Sequence, residues 1–192
     1  KLLTKLGLNF KERIDFFQLK FSKRTIAKLF YFKRMLDSVS DIDGDVVECG
    51  VGKGASAQIL ALLLNNENKG RKFWGFDSFE GFPEPSMEDD SFRNPKKGEW
   101  KKMSKDDVYN LLSSCRLEKD FIDYNVKIIK GFFSETLPVT KVSKIALLHL
   151  DVDLYQSYAD CLKYLFPKGV GGGVVLFDEY DEPKFHGAKK AI

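Results

Sequence analysis

Apolar and polar positions along the chain form two alternating kinds of segment. Continuous apolar runs of strand length lie at residues 45–49, 72–77, 126–130, 144–151 and 173–178. Between them, apolar residues recur every three to four positions at about 54–65, 104–118 and 155–166. The first pattern is typical of strands buried on both faces, and the second of helices with one buried side. Their alternation predicts an α/β fold: a doubly wound, mostly parallel, Rossmann-like sheet with helices on both faces.

Helix-breaking residues separate the helical pattern at 155–166 from the final apolar run at 173–178. Pro167 and Gly169 follow the helical pattern at 155–166 and predict its end. The run of glycines at 171–173 then predicts a turn before the final strand.

The first 44 residues differ in charge from the rest. Residues 1–34 contain ten lysines and arginines against two acids, whereas the whole chain has a net charge of only +3. Helical spacing of apolar residues predicts one or two basic amphipathic helices within residues 10–34. We therefore divide the chain into a basic helical arm, 1–44, and a Rossmann-like domain, 45–192. Packing or homo-oligomerisation through the arm is the favoured interpretation, ahead of binding to an anionic substrate, nucleic acid or a membrane surface.

The composition is that of one ordinary globular domain. The 192 residues, 43% of them hydrophobic, suffice for a single core. No apolar stretch approaches the roughly 20 residues of a membrane-spanning helix and no signal peptide is recognisable, so a cytoplasmic location is predicted. The odd number and wide spacing of the cysteines predict neither a disulfide framework nor a zinc site. Since the chain stops at Ile192 as a further helix begins, we expect a C-terminally truncated fragment.

Carboxylates end four of the five apolar runs. They are Glu48, Asp77, Asp151 and Asp178. Because the carboxyl ends of parallel strands lie along one edge of a sheet, where ligands of open α/β sheets bind, these acids are predicted to converge on one site. Mutual repulsion would raise their pKa values, so cations or hydrogen-bond donors are expected to meet them there.

The turn after the first run is rich in glycine and predicts a cofactor site. Gly50, Gly52 and Ala55 satisfy a relaxed dinucleotide-binding pattern, and Ser56 follows at the start of the predicted helix. Glu48, two residues before Gly50, would repel a pyrophosphate but would suit the ammonium group of S-adenosylmethionine. The turn is therefore predicted to bind S-adenosylmethionine.

Four further residues are predicted to bind the cofactor. Asp77, with Ser78 beside it, is placed to accept hydrogen bonds from ribose hydroxyls, in either S-adenosylmethionine or a dinucleotide. At the exit of the third strand, Gly131 and Phe132 are predicted to lie near the adenine, although Phe132 and Phe133 as a pair of core aromatics is an equal alternative.

The acids after the last two strands predict a metal site. Asp151 and Asp178 are separated by 27 residues, enough for one helical crossover, so their strands are predicted to be neighbours. With Glu179 they form an all-oxygen set that suits Mg²⁺. Such an ion would lower the pKa of a substrate hydroxyl while a neighbouring carboxylate takes its proton. Capping or salt-bridging acids without a metal are the alternative, and His149 is expected to be a core histidine.

A long connection precedes the third strand. It spans 48 residues between the second and third runs and contains Phe79, Phe82, Phe92 and Trp100. It is predicted to be a lid or a wall of the substrate site, with a disordered connection as the alternative.

Four motifs together resemble the macrocin O-methyltransferase family. They are Gly44-Asp-Val-Val-Glu-Cys-Gly-Val51, Phe76-Asp-Ser-Phe-Glu-Gly-Phe-Pro83, Gly131-Phe-Phe-Ser-Glu-Thr-Leu-Pro138, and Leu150-Asp-Val-Asp-Leu-Tyr-Gln-Ser157 followed by Phe177-Asp-Glu-Tyr180. The resemblance implies a class I methyltransferase fold and Mg²⁺-dependent methylation of a hydroxyl of a sugar or glycosylated metabolite by S-adenosylmethionine. It also implies that Asp151 is metal ligand and general base, with Asp178 and Glu179 as further ligands. The chain departs from the family's usual Asp-Asp-Tyr at Glu179.

Two other functions remain open from the sequence. An NAD-dependent oxidoreductase would use the same turn and Asp77, but would leave the acids at 151, 178 and 179 without a role. An inactive cofactor-binding module would keep Glu48 and Asp77 and would not need those acids.

Overall fold

The described part of the chain folds into five strands and flanking helices. The computed structural model describes residues 22–101 and 103–192. The helices are α1 (Lys23–Ser38), α2 (Ala55–Glu67), α3 (Lys105–Ser114), α4 (Lys119–Asn125), α5 (Phe133–Thr136), α6 (Tyr155–Leu165) and α7 (His186–Ala191). The strands are β1 (Asp45–Cys49), β2 (Phe73–Asp77), β3 (Val126–Lys130), β4 (Ile145–Leu150) and β5 (Gly169–Phe177). Single turns of 3₁₀ helix lie at Met87–Asp89, Phe166–Lys168 and Pro183–Phe185. Among these described helices, none has the length and apolar character to cross a membrane.

The strands form one parallel sheet in the order β3-β2-β1-β4-β5. The central strand β1 pairs with β2 on one side and with β4 on the other. The chain therefore reverses its direction of winding between β3 and β4, and the carboxyl ends of β1 and β4 lie side by side where ligands of such sheets bind. The predicted doubly wound α/β fold is confirmed.

Two hydrophobic clusters cover the two faces of the sheet. Val46 and Leu147 point into one cluster, which contains Phe32 of α1 and Leu60 of α2. The following residues, Val47 and Leu148, point into the other, whose largest fully buried side chain is Tyr158 of α6. Because successive residues of a strand face opposite sides, a strand covered on both faces is apolar at nearly every position, which explains the continuous runs.

Helix α1 spans the point at which the chain divides into two compact units. Residues 32–192 form one compact unit, and residues up to Tyr31 are assigned to another. Phe32, Leu36 and Val39 are buried in the first of the two clusters. The predicted helical segment at 10–21 lies outside the described residues, and the predicted boundary after residue 44 stays a prediction.

The predicted turn at residues 171–173 is wrong, because these glycines belong to β5. Ile145 of β4 is opposite Gly169, but Leu147 is opposite Val174, so five steps along β5 match two along β4. The extra residues form an irregular bulge, in which Gly172 has a φ of +84°. A bulge accommodates extra residues within a strand without ending it, so the glycines interrupt the ladder and not the element.

The predicted helix at 104–118 is shorter and is followed by a second helix. It begins at Ser104, whose hydroxyl accepts a hydrogen bond from the backbone N–H of Asp107, while the Asp107 carboxylate accepts one from the N–H of Ser104. This reciprocal cap defines the N-terminus of α3. Arg116, with a φ of +60°, lies beyond its C-terminus, and the chain then enters α4.

Candidate active site

The glycine-rich turn after β1 packs directly against the segment after β4. Gly50 has a φ of +87°, and a Cβ at this position would lie 1.8 Å from the carbonyl oxygen of Asp151. The backbone N–H of Asp151 donates to the carbonyl of Cys49 at 3.0 Å. Only glycine permits this approach, so Gly50 serves to bring the Asp151 segment against the turn. The glycine pattern of the turn predicted that a ligand could approach its backbone, but it did not reveal the contact between the turn and the Asp151 segment.

Asp77 connects the same turn to the end of β2. One carboxylate oxygen accepts the backbone N–H of Gly52 at 2.8 Å, and the other accepts that of Phe79 at 2.7 Å. Burial raises the pKa of Asp77; the Gly52 and Phe79 amides act in the opposite direction, nearby Glu48 adds to the rise, and the net shift is upward. Asp77 therefore shapes the turn itself, and each of its oxygens retains a lone pair for a ligand.

The remaining residues predicted to bind a cofactor lie at the start of α2 and after the ends of β2 and β3. Ser56 is buried in the first turn of α2, and the Ser78 hydroxyl donates to the carbonyl of Gly81. Gly131 donates its backbone N–H to the carbonyl of Asp77 at 3.0 Å, and Phe132 is the half-buried residue before α5. The exit of β3 is thus held beside Asp77, as the predicted adenine site requires.

A cluster of three potential ligands lies at the ends of β4 and β5. One donor atom from each of His149, Asp151 and Asp178 lies within 4.8 Å of the other two. Such a spacing fits a single cation, and two of the three groups are carboxylates, which Mg²⁺ prefers. The adjacency of β4 and β5 brings Asp151 and Asp178 together, as their spacing in the sequence predicted.

His149 takes part in this cluster although the sequence indicated a core histidine. It is 2% exposed, its Nδ1 lies 3.1 Å from Oε1 of the fully buried Glu48, and its Nε2 lies 3.9 Å from Oδ1 of Asp178. Burial lowers its pKa, but the carboxylates of Asp178, Glu48 and Asp151 outweigh burial and raise it to about 10. A signal was present in the sequence: Glu48 and His149 each interrupt an apolar run two residues before the segments that meet at Gly50 and Asp151.

Glu179 contacts Tyr158 of helix α6. The hydroxyl of Tyr158 donates to Oε2 of Glu179 at 2.5 Å and lies within hydrogen-bonding distance of the Leu150 carbonyl. Burial and the charges of Asp151 and Asp153 raise the pKa of Glu179 to about 9. Asp178 and Glu179 follow the end of β5 at Phe177, and Asp178 is the one of the two that belongs to the cluster with His149 and Asp151. Metal ligation by Glu179 stays a prediction.

Asp153 is a further acid beside Asp151, Asp178 and Glu179. It has a φ of +60°, its backbone N–H lies 3.4 Å from Oε2 of Glu179, and it is half-buried. Burial and the charges of Asp151 and Asp178 raise its pKa to about 7, against the opposing effect of Arg93. Burial and the mutual repulsion of these acids therefore favour their protonated forms, and a nearby cation would oppose this effect.

The long connection after β2 is attached to the same edge at several points. Phe82 packs in a small cluster with Leu154 and Phe185. The buried carboxylate of Asp89 accepts the backbone N–H of Tyr155, the first residue of α6, at 2.7 Å. Phe79 is also buried, whereas Phe92 and Trp100 are exposed. The described residues of the connection are thus anchored beside the acids through Phe82 and Asp89, and its role as a lid or substrate wall stays a prediction.

The chain is similar to known O-methyltransferases. The profile of the family described as macrocin O-methyltransferase (TylF) matches residues 22–191. The chain is 30% identical over 164 residues to a protein of Streptomyces niveus named demethyldecarbamoylnovobiocin O-methyltransferase, covering 81% of this chain and 60% of that protein. It is 32% identical over 149 residues to 8-demethyl-8-(2,3-dimethoxy-alpha-L-rhamnosyl)-tetracenomycin-C 4′-O-methyltransferase of Streptomyces olivaceus, covering 72% of this chain and 54% of that protein. The chain thus spans somewhat over half the length of these curated relatives.

A solved structure gives the same answer for the fold. The crystal structure of CalS11, a calicheamicin methyltransferase, superposes with a TM-score of 0.82 and 25% sequence identity, covering 99% of this chain and 78% of that one. The sheet order, the glycine-rich turn and the acids after β4 and β5 therefore occur in a chain whose sequence and fold both match methyltransferases. The chain belongs to the macrocin O-methyltransferase family.

Proposed function

We propose that this chain transfers the methyl group of S-adenosylmethionine to a hydroxyl of a sugar or glycosylated metabolite, with Mg²⁺ at the acid cluster. The observation that carries the proposal is the contact between Gly50 and the Asp151 segment, because it joins the predicted cofactor turn to the predicted metal site. Membership of the family supports the reaction class, and the names of the relatives support a sugar-bearing acceptor.

The cofactor is proposed to lie along the ends of β1, β2 and β3. The Asp77 carboxylate accepts hydrogen bonds from the ribose hydroxyls through the lone pairs that the N–H groups of Gly52 and Phe79 do not use. Glu48 provides the negative charge that favours the ammonium group of the amino-acid portion. The remaining contacts are those predicted from the sequence: Gly50, Gly52, Ser56, Ser78, Gly131 and Phe132.

The acceptor hydroxyl is proposed to lie at Asp151. A neutral alcohol is a poor nucleophile, so a base must take the hydroxyl proton as the oxygen bonds to the methyl carbon and the carbon–sulfur bond breaks. Asp151 is that base, and with Asp178 and the predicted ligand Glu179 it provides oxygen donors for Mg²⁺. When bound there, a divalent cation lowers the pKa of the hydroxyl.

The test of this mechanism compares two Asp→Asn variants. Asp151→Asn keeps the size and polarity of the side chain but removes a charge and the base, so methyl transfer should fall by roughly 10²–10⁴-fold with little change in S-adenosylhomocysteine binding. Asp181→Asn is the matched control. Asp181 lies three residues beyond Asp178, but it is exposed and pairs with Lys189. Methylation is followed with labelled S-adenosylmethionine and a saccharide library, and binding by calorimetry.

Removal of the metal gives an independent measurement. A chelator should abolish methyl transfer by the wild-type chain, and added Mg²⁺ should restore it without a change in the circular dichroism spectrum. Full activity in excess chelator, together with an active Asp151→Asn variant, would show that these acids are structural and that the mechanism is wrong.

The acceptor and the cofactor have competing candidates that the same assays separate. If bulk tRNA is labelled with a steep salt dependence while saccharides are not, the sugar acceptor is wrong. Tight NAD⁺ binding without S-adenosylhomocysteine binding would favour an oxidoreductase. We further propose a cytoplasmic location. We also propose a homo-oligomer formed through the N-terminal helices, and analytical ultracentrifugation of chains with and without the arm would test this oligomeric state.

A further inference from the structure

His149 lies between the two halves of the proposed site. It stands in β4 opposite Glu48 of β1 in the strand register, and both side chains are buried among apolar neighbours. One ring nitrogen is 3.1 Å from Oε1 of Glu48, and the other is 3.9 Å from Oδ1 of Asp178. The imidazole thus faces a residue of the proposed cofactor site with one nitrogen and a residue of the proposed metal site with the other.

The surroundings of the ring hold it in this orientation. Phe32 packs edge-on against the imidazole, with ring centroids 5.1 Å apart and an interplanar angle of 80°. The second carboxylate oxygen of Glu48 is buried and has no hydrogen-bond partner among residues 22–101 and 103–192. Because burial of a polar atom without a partner is unfavourable, the Glu48 carboxylate depends on the imidazole for its position until a ligand donates to the other oxygen.

We propose that His149 is a positioning residue that orients Glu48 for the cofactor and Asp178 for the metal. The proposal rests on the proposed function and deepens it, because it assigns one side chain to both halves of the site. His149 acts through the two carboxylates and is not itself a metal ligand. Mg²⁺ is bound mainly by oxygen donors, and in metal sites the residues that orient the ligands typically change affinity 10–100-fold when replaced.

Two substitutions separate the two contacts. The side-chain amide nitrogen of asparagine reaches the position of the histidine Nδ1, so His149→Asn keeps a donor toward Glu48 and loses the nitrogen that faces Asp178. The longer glutamine places its amide nitrogen near the position of Nε2, so His149→Gln does the reverse. His186 is the other histidine of the chain and is exposed, so His186→Gln is the matched control.

The experiment measures two affinities in each variant. Mn²⁺ binding is followed by electron paramagnetic resonance, and S-adenosylhomocysteine binding by calorimetry, both on protein whose folding is checked by circular dichroism. His149→Asn should weaken Mn²⁺ binding about tenfold and leave S-adenosylhomocysteine binding within about twofold of wild type. His149→Gln should show the opposite selectivity, and His186→Gln should change neither. A purely structural role would instead lower the melting temperature of both variants without this reciprocal selectivity.

Other outcomes overturn the proposal. If the wild-type chain binds both ligands and either His149 variant binds both as tightly as the wild type, the contact which that variant removes positions nothing and the dual role is wrong. If spin-echo spectra of bound Mn²⁺ show an imidazole nitrogen coupling that both His149 variants lose and His186→Gln retains, then His149 is a ligand. A wild-type chain that binds neither S-adenosylhomocysteine nor Mn²⁺ would overturn the proposed function and this inference together, which distinguishes that failure from the first two.

Discussion

Substitution of Gly50 by alanine tests whether the contact between the glycine-rich turn and the Asp151 segment holds the site together. Two effects add at this position. A residue with a Cβ at positive φ is destabilised by roughly 1–2 kcal/mol. The new Cβ would also lie 1.8 Å from a backbone oxygen, which moves only if the Asp151 segment moves. Overpacking of this kind costs about 1–3 kcal/mol, so the total destabilisation should be about 2–5 kcal/mol.

Gly52 provides a matched control within the same turn. It has a φ of +55°, and a Cβ there would meet nothing within 4 Å. Gly52→Ala should therefore show only the conformational effect, about 1–2 kcal/mol. Urea unfolding measures both free energies, and an unchanged m-value shows that the same transition is compared. Gly50→Ala should also weaken Mn²⁺ binding, because Asp151 is displaced, whereas Gly52→Ala should not.

Equal losses in the free energy of unfolding of the two variants, within about 0.5 kcal/mol, would contradict the prediction, because surface substitutions commonly have effects of that size. The prediction also fails if Gly50→Ala is strongly destabilised yet binds Mn²⁺ as the wild type does. The first result would mean that the close approach is relieved without strain. The second would mean that the position of Asp151 does not depend on this contact.

Two further predictions follow from the ionisable groups. In metal-free protein, the pKa of Glu179 is raised from an ordinary value near 4.5 to about 9, so the folded state retains a proton that the unfolded state releases, and stability should fall as pH rises through this range. Glu179→Gln cannot ionise and still accepts from Tyr158, so its melting temperature between pH 5 and 9 should depend less on pH; parallel wild-type and variant profiles would contradict this. Asp77→Ala should weaken S-adenosylhomocysteine binding at least tenfold in calorimetry and also destabilise the turn, because it removes the acceptor for the N–H groups of Gly52 and Phe79; unchanged affinity would place the ribose elsewhere.

Local chemistry accounts for what the sequence determined by itself. Continuous apolar runs, breakers such as Pro167 and the position of acids at strand ends follow from rules that act over a few residues. These rules were enough to predict the five parallel strands, the helices between them and the adjacency of β4 and β5. The Gly171–Gly173 segment misled this reasoning, because glycine permits a bulge as readily as a turn, and only pairing with β4 decides between them.

The tertiary structure decided which polar groups meet. The partners of Glu48 and Gly50 lie about one hundred residues away in sequence, at His149 and Asp151, and their contact depends on β1 and β4 being neighbours in a defined register. The different partners of Asp178 and Glu179, the His149–Asp151 cluster for the first and Tyr158 of α6 for the second, are likewise visible only in the folded chain. Sequence spacing predicts that acids lie at the same edge, but register and strand direction determine which of them share a hydrogen bond, a proton or a cation.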